Sequence, residues 1–417
     1  MSEFNFHGDD LYCEDIAIHK IASDLGTPFY LYSRKMLEDH FMVFDRAFSI
    51  AHLTCYSVKA NSNLAVLKII ASRGGGADVV SGGEIFRALK AKISPGKIVY
   101  SGVGKSRDEI EYALKSDILM FNVESPQELD LVDNVAESAG KKARIALRIN
   151  PDVDPKTHPY ISTGLKQNKF GIRIEDALHE YKRAAGKKNI EVIGVACHIG
   201  SQITEVSPFV DALRRVKGFV NELFSQGIQI KYYDLGGGLG ITYENESPPH
   251  PSEYAGAIIK EMENLPCTLI LEPGRVIAGN AGILVSRVLY TKKADHKNFI
   301  IVDAAMNDLV RPSLYKAYHE IKALKKKSAA LTTADVVGPI CESGDFLARN
   351  REVPDFEPGD CLAIMSAGAY GFSMSSNYNS RPRVPEVLAD GQRYFVVRER
   401  ETYADLIRHE KVPEGLE

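Results

Sequence analysis

Two rhythms of apolar and polar positions run through the first two thirds of the chain. Short runs near residues 53–58, 77–80, 98–101, 118–122, 144–149, 193–198, 232–235 and 268–271 are apolar almost throughout, as strands buried on both faces are. Between them apolar residues recur at helical spacing, as in Leu64, Val66, Leu67 and Ile70, or Phe209, Leu213, Val216, Val220 and Leu223. Eight strands alternating with helices predict an α/β fold, a (β/α)8 barrel of the TIM type over residues 35–282. After about residue 285 the alternation stops and strands dominate: Ile283–Leu289, Phe299–Asp303, Asp335–Val337, Cys361–Met365 and Tyr394–Val397. This predicts a C-terminal β-rich barrel or sandwich domain over residues 283–417. Pro28–Tyr32 also reads as a strand, ahead of a helix at Met36–Phe48, and so residues 1–34 are expected to join that domain.

Composition narrows the class of protein. At 417 residues the chain is too long for one ordinary core, and its net charge of −4 gives no reason to expect a nucleic acid or an anionic membrane as partner. No window approaches 18 apolar residues, and the acidic first thirty residues lack an apolar signal-peptide core. The six cysteines form no C-x-x-C pair, so no metal site is expected, and buried thiols in a reducing compartment point to the cytoplasm.

In a barrel of this type chemistry sits at the C-terminal ends of the strands. Just past the proposed strands stand Lys59, Ser81-Gly82-Gly83-Glu84, Ser101-Gly102, Asn122, Asn150-Pro151, His198-Ile199-Gly200-Ser201, Gly236-Gly237-Gly238 and Glu272-Pro273-Gly274-Arg275. The strand interiors read as apolar; their exits carry an amine, an imidazole, glycine turns and a carboxylate. Lys59 ends an apolar run and is either a snorkelling stem or an amine held to react. Gly236–Gly238 matches neither G-x-G-x-x-G, since Ile241 stands at the third glycine position, nor the Walker spacing; after the seventh strand it suits a phosphate. Glu272 ends a buried strand and needs a partner, either Arg275 or a protonated ring nitrogen. His198 alone is as well explained as a structural residue. Taken together, a lysine able to condense with an aldehyde, a phosphate cradle completed by Arg275, a carboxylate for a ring nitrogen and an imidazole against the ring compose a site for pyridoxal 5'-phosphate.

The same stretches resemble the diaminopimelate decarboxylases, of the barrel-type pyridoxal phosphate decarboxylase family that includes the ornithine and arginine decarboxylases. Tyr56-Ser57-Val58-Lys59-Ala60-Asn61 is similar to the family's cofactor-lysine motif, and His198-Ile199-Gly200-Ser201-Gln202 to its ring-stacking histidine motif. Gly236–Gly238 and Glu272-Pro273-Gly274-Arg275 resemble its phosphate and ring-nitrogen motifs. Three later motifs also match: Arg311-Pro312-Ser313-Leu314-Tyr315 resembles the substrate-carboxylate motif, Gly338-Pro339-Ile340-Cys341-Glu342-Ser343-Gly344-Asp345 the catalytic cysteine motif, and Gly368-Ala369-Tyr370-Gly371 the tyrosine that meets phosphate and substrate.

The resemblance implies that Lys59, Cys341 and His198 are catalytic and that Arg275, Arg311, Tyr315, Glu342 and Tyr370 bind substrate. It further implies a homodimer with shared sites, in which the neighbour supplies Cys341 and Glu342. Diaminopimelate carries an amino-acid group at each end; arginines suit the distal carboxylate and Glu342 the distal ammonium. Ornithine has no distal carboxylate for an arginine to hold. Alternatives are a decarboxylase of ornithine, arginine or carboxynorspermidine, a racemase of the same barrel family, and a pyridoxal phosphate carrier; carriers that resemble this barrel lack the second domain.

Overall fold

Eight parallel strands form a closed ring: β1 His52–Ser57, β2 Gly76–Val79, β3 Ile98–Tyr100, β4 Met120–Val123, β5 Ala143–Asn150, β6 Ile190–Ala196, β7 Tyr232–Asp234 and β8 Thr268–Leu271. Each pairs with the next, and β8 returns to β1 with Ile270 opposite Leu53. All eight expected strands are present, with ends shifted by a few residues. The structure is a computed structural model, describing residues 3–154, 157–161, 163–164, 169–327 and 330–416. It divides into two units, residues 37–279 and residues 1–36 with 280–417.

Local chemistry sets where the barrel helices begin. Asn63 accepts from the amide of Ala65 at the start of Leu64–Ser72, and Ser106 with Glu109 forms a capping box for Arg107–Lys115. Ser125 caps Pro126–Ser138, which carries proline at its first position, where no amide partner is lost. Sequence periodicity alone places the first barrel helix two residues late: it runs Arg34–Arg46.

The barrel interior is layered. Cys55, Val99, Met120, Ala146 and Ile270 pack as one apolar cluster, with Tyr232 against it. Because a strand repeats every two residues, the next inward position on each of these strands is Ser57, Ser101, Asn122, Arg148, Glu272 and Asp234. On β2 the same step leads from Gly76, where a Cβ would lie 2.3 Å from the carbonyl oxygen of Lys97, to Asp78. An apolar plug therefore supports a polar layer at the C-terminal end of the ring. Asp78, Asn122 and Asp234 are polar positions inside the nearly apolar β2, β4 and β7; Asn122, expected just past the fourth strand, lies within it, and Asn150 is the last residue of β5.

The other unit is built on Gly282–Ala294, a long strand that serves two sets of partners. Its first part pairs with Phe29–Ser33 on one side and Cys361–Ile364 on the other; its second part pairs with Lys297–Val302. The sheet continues through Leu331–Val337 to Phe346–Pro354 in one direction and through Glu386–Asp390 to Arg393–Arg398 in the other. Phe29–Ser33 is thus a strand of this sheet, between Gly282–Ala294 and Glu386–Asp390.

Candidate active site

The polar layer of the barrel is one connected network around Lys59. The lysine lies in the single turn Val58–Ala60 that follows β1, and its Nζ donates to Asp78 Oδ2 at 2.7 Å. Ser57 Oγ donates to the same oxygen at 2.8 Å and to the carbonyl of Glu272 at 3.0 Å. Ser101 Oγ donates to Glu272 Oε1 at 3.3 Å. Asn122 Nδ2 donates to Ser101 Oγ at 3.1 Å and, across the lumen from β4 to β7, to Asp234 Oδ2 at 2.7 Å.

Three buried carboxyls, Asp78, Asp234 and Glu272, thus face one lysine. Burial pushes Asp78 up, but the charge and hydrogen bond of Lys59 outweigh it and its pKa ends below the usual value. Asp234 and Glu272 hydrogen-bond each other. Burial pushes Asp234 up to about 6, and burial followed by the charge of Asp234 holds Glu272 well above the carboxylate range. The cluster carries more acid than Lys59 can balance, so a cationic ring N–H from a bound heterocycle would complete it.

A consequence for stability follows from the sign of these shifts. Between the ordinary aspartate value of 3.8 and about 6, folded Asp234 keeps a proton that the unfolded chain releases. The contribution of Asp234 to the stability of the cofactor-free chain therefore falls as pH rises through that window. Glu272→Gln removes one acid while keeping a donor for Asp234. We expect the cofactor-free variant to melt a few degrees above the parent at and above neutral pH, while turnover falls. A melting temperature lower than the parent's across that range would contradict the excess-acid account.

His198 follows β6 and is half-buried by its neighbours, and desolvation, then the nearby charge of Arg148, pushes its pKa down to about 3. The ring is neutral, with Nδ1 accepting from the Gly237 amide at 3.2 Å. Its carbonyl accepts from Thr163 Oγ1 at 3.0 Å and from Arg148 Nη2 at 3.3 Å, and Arg148 is itself paired with Glu124 at 2.7 Å. The imidazole plane is thus fixed from both main chain and side chain.

The glycine run is required by space. A Cβ on Gly237 would stand 2.0 Å from the carbonyl oxygen of Glu272, and one on Gly236 would stand 2.7 Å from His198 Nδ1. Gly236 and Gly238 also have φ of +74° and +124°. Two of the three amides serve the site itself: Gly236 donates to Asp234 Oδ1 at 2.9 Å, Gly237 to His198. Glu272 does not pair with Arg275. Arg275 is buried, with Nη1 donating to Tyr243 OH at 2.6 Å and Nη2 to Ser201 Oγ at 3.0 Å. Gly274, before it, packs where a Cβ would meet Ser57 Cβ at 2.9 Å, and the carbonyl of Pro273 accepts from the Ser57 amide at 3.0 Å. Lys59, His198, Ser201, Gly236–Gly238 and Glu272–Arg275 all belong to the C-terminal rim of the barrel.

The remaining expected residues lie in the β domain. Arg311 opens the short helix Arg311–Tyr315, is buried, and donates through Nη1 to His319 Nε2 at 3.0 Å. His319 is fully buried and its Nδ1 bonds the carbonyl of Met365 at 2.8 Å, which fixes the tautomer that can accept from Arg311. Ser313 Oγ donates to the carbonyl of Gly344 at 2.5 Å, tying that helix to the turn that carries Cys341 and Glu342. Asp345 holds the turn from below, accepting from the amides of Ile340 at 2.6 Å and Met306 at 2.7 Å. Cys341 is exposed, whereas Cys13, Cys55, Cys197 and Cys267 are buried. Tyr315 and Tyr370 are half-buried, Tyr370 with φ of +56° in the loop after Cys361–Ile364.

Residues 34–279 match the family model described as the pyridoxal-binding domain of pyridoxal-dependent decarboxylases. A diaminopimelate decarboxylase of Pseudomonas aeruginosa is 51% identical over 99% of both chains, and that of Aquifex aeolicus is 49% identical over 97% of both. The chain belongs to the diaminopimelate decarboxylase family. Among solved structures, the Helicobacter pylori diaminopimelate decarboxylase complexed with L-lysine superposes with a TM-score of 0.91 at 46% identity, covering 94% of this chain and 99% of that one. The M. jannaschii diaminopimelate decarboxylase in co-complex with L-lysine gives a TM-score of 0.93 at 40% identity, over 99% of both chains. Pyridoxal phosphate is the cofactor of this decarboxylase family, and the residues on the barrel rim fit it: an amine, a cradle without side chains and an excess of buried acid.

Sequence reasoning passed over several members of the decarboxylase site. Asp78, Asp234 and Arg148 lie inside strands that read as apolar almost throughout. The signal was present: each follows an inward apolar position by two residues. His319 and Tyr243 carry no motif, and only the fold brings them to Arg311 and Arg275.

Proposed function

We propose that this chain decarboxylates meso-2,6-diaminopimelate with pyridoxal phosphate, releasing CO2 and L-lysine, the closing step of lysine biosynthesis in the cytoplasm. When bound, pyridoxal phosphate supplies an aldehyde for amines and an electron-withdrawing ring that stabilises charge at the substrate Cα. Lys59, held in place by Asp78, is the amine that would hold the cofactor through its aldehyde. Glu272 and Asp234 would hold a proton at the ring nitrogen. Neutral His198 would support the ring from one side. Arg275, Ser201 and Gly238 hold the phosphate, with Pro273 and Gly274 setting the approach of that backbone, since Gly236 and Gly237 already serve Asp234 and His198. Tyr370 adds a phosphate and substrate contact. Cys341 holds the proton that replaces CO2 at Cα.

The substrate assignment is carried by one observation: a guanidinium fixed by a buried imidazole, Arg311 on His319, sits on a helix bonded to the turn that bears Glu342. A fixed cation and a carboxylate on one hydrogen-bonded unit suit the carboxylate and ammonium of a distal amino-acid centre, with Tyr315 beside them. Ornithine and arginine offer no distal carboxylate to Arg311. We place the chain as a homodimer in which Cys341 and Glu342 of one copy serve the barrel of the other, as the family resemblance implies. The test measures CO2 from meso-diaminopimelate, ornithine and lysine in parallel. Release from diaminopimelate at least ~100-fold faster than from ornithine is expected, the order that unpaired buried charges impose on a poor substrate. Turnover of ornithine without diaminopimelate would overturn the substrate and leave the cofactor standing.

A further inference from the structure

The turn Ile340–Asp345 is gripped by a second loop that no motif above includes. Tyr378 OH donates to Glu342 Oε2 at 2.8 Å, and the Cys341 amide donates to Asn379 Oδ1 at 3.3 Å. Adjacent residues thus hold adjacent residues, one by its side chain and one by its backbone. The loop is firmly seated on its own domain. Asn377 Nδ2 donates to Glu401 Oε2 at 2.7 Å and to the carbonyl of Arg381 at 3.0 Å. Arg381 donates to the carbonyl of Asp303 at 2.6 Å and to Asn307 Oδ1 at 3.2 Å, and the Ser376 amide donates to the carbonyl of Asn307 at 2.9 Å. Asn379 and Ser380 have φ of +57° and +52°. Two consecutive residues in this sparsely populated region are kept there by the anchors on either side, and asparagine tolerates it better than most side chains do.

Beside the other oxygen of Glu342 a glycine leaves space. A Cβ on Gly344 would stand 2.9 Å from Glu342 Oε1. Gly344 has ordinary φ, so its glycine is explained by space and not by backbone conformation. The carboxylate therefore has Oε2 bonded to Tyr378 and Oε1 in the space that Gly344 leaves.

We propose that Tyr378, with Gly344, is a specificity-determining clamp: it fixes the Glu342 carboxylate so that Oε1 alone meets the distal ammonium of the substrate. Tyr378 acts through Glu342 and is a positioning residue, not a catalytic one. This rests on the reading of Glu342 as the ammonium-binding group. Tyr378 is 47% exposed, so its replacement by phenylalanine leaves the fold intact. Glu342 Oε1 is the end of a flexible side chain, so Gly344→Ala displaces it at little cost in stability.

The experiment measures kcat and KM for meso-diaminopimelate in Tyr378→Phe, Gly344→Ala, Glu342→Gln and the double variant Tyr378→Phe/Glu342→Gln. The clamp requires KM to rise roughly 5- to 20-fold in Tyr378→Phe and Gly344→Ala, with kcat within about twofold, as loss of one charge-assisted hydrogen bond implies. It also requires Tyr378→Phe to add nothing once Glu342 is glutamine. Effects that multiply in the double variant, or a fall in kcat at unchanged KM, overturn it. If Glu342→Gln raises KM and Tyr378→Phe does not, the clamp fails and the role of Glu342 stands. If Glu342→Gln itself leaves KM unchanged, that role fails and the clamp falls with it.

Discussion

Replacing Lys59 by alanine is expected to lower turnover by ~10⁴-fold, the largest single effect in the molecule, because the reacting amine and a proton carrier are lost together. Borohydride reduction of the parent should leave cofactor mass on the peptide containing Lys59, and the variant should carry none. Lys59→Arg separates the two jobs of the residue. Arginine keeps a cation beside Asp78 but cannot condense with an aldehyde, so that variant is expected to be inactive yet to melt near the parent. Lys59→Ala melts lower at neutral pH, since the shift of Asp78 is downward and depends on the lysine: its stabilisation is present above the ordinary aspartate value and needs its partner. Retained turnover in either variant would falsify the assignment of Lys59.

The barrel was legible because its signals are local and repeated. Apolar runs such as Leu269-Ile270-Leu271, separated by helical spacing, report burial on both faces whatever the tertiary detail. The strand exits were legible for the same reason, since position relative to a strand end is itself a sequence property. The polar layer was less so. Asp78 and Asp234 each interrupt an apolar run by one residue, which a run-based reading absorbs as noise and a two-residue period exposes. Long-range partners left no trace at all. Tyr243 stands 32 residues before Arg275 and Tyr378 36 residues from the carboxylate it bonds, while His319, eight residues from Arg311, carries no motif and reads as any histidine. The Lys325-Lys326-Lys327 run, whose charge predicts a solvated helix face, is solvated at Lys325 and Lys326 but lies on no helix, and Lys327 pairs with Asp360 at 2.5 Å.

Cys341 should prove as necessary as Lys59 in one respect and separable in another. Its exposed thiol and its place on the Asp345-anchored turn suit proton delivery, and Cys341→Ala is expected to cost on the order of 10²- to 10³-fold in kcat. Cofactor attachment at Lys59 should survive that change. If each site joins the barrel of one copy to the β domain of another, two inactive variants should rescue one another. Mixing Lys59→Ala with Cys341→Ala, under conditions where subunits exchange, creates mixed dimers in which one site holds both defects and the other holds none. With random pairing half the dimers are mixed and half their sites are intact, so activity should recover to about a quarter of the parent's. Were each site built within one copy, every site in the mixture would carry a defect and no activity would return. The mixture therefore decides the assembly by a gain of activity, which misfolding of either variant cannot imitate.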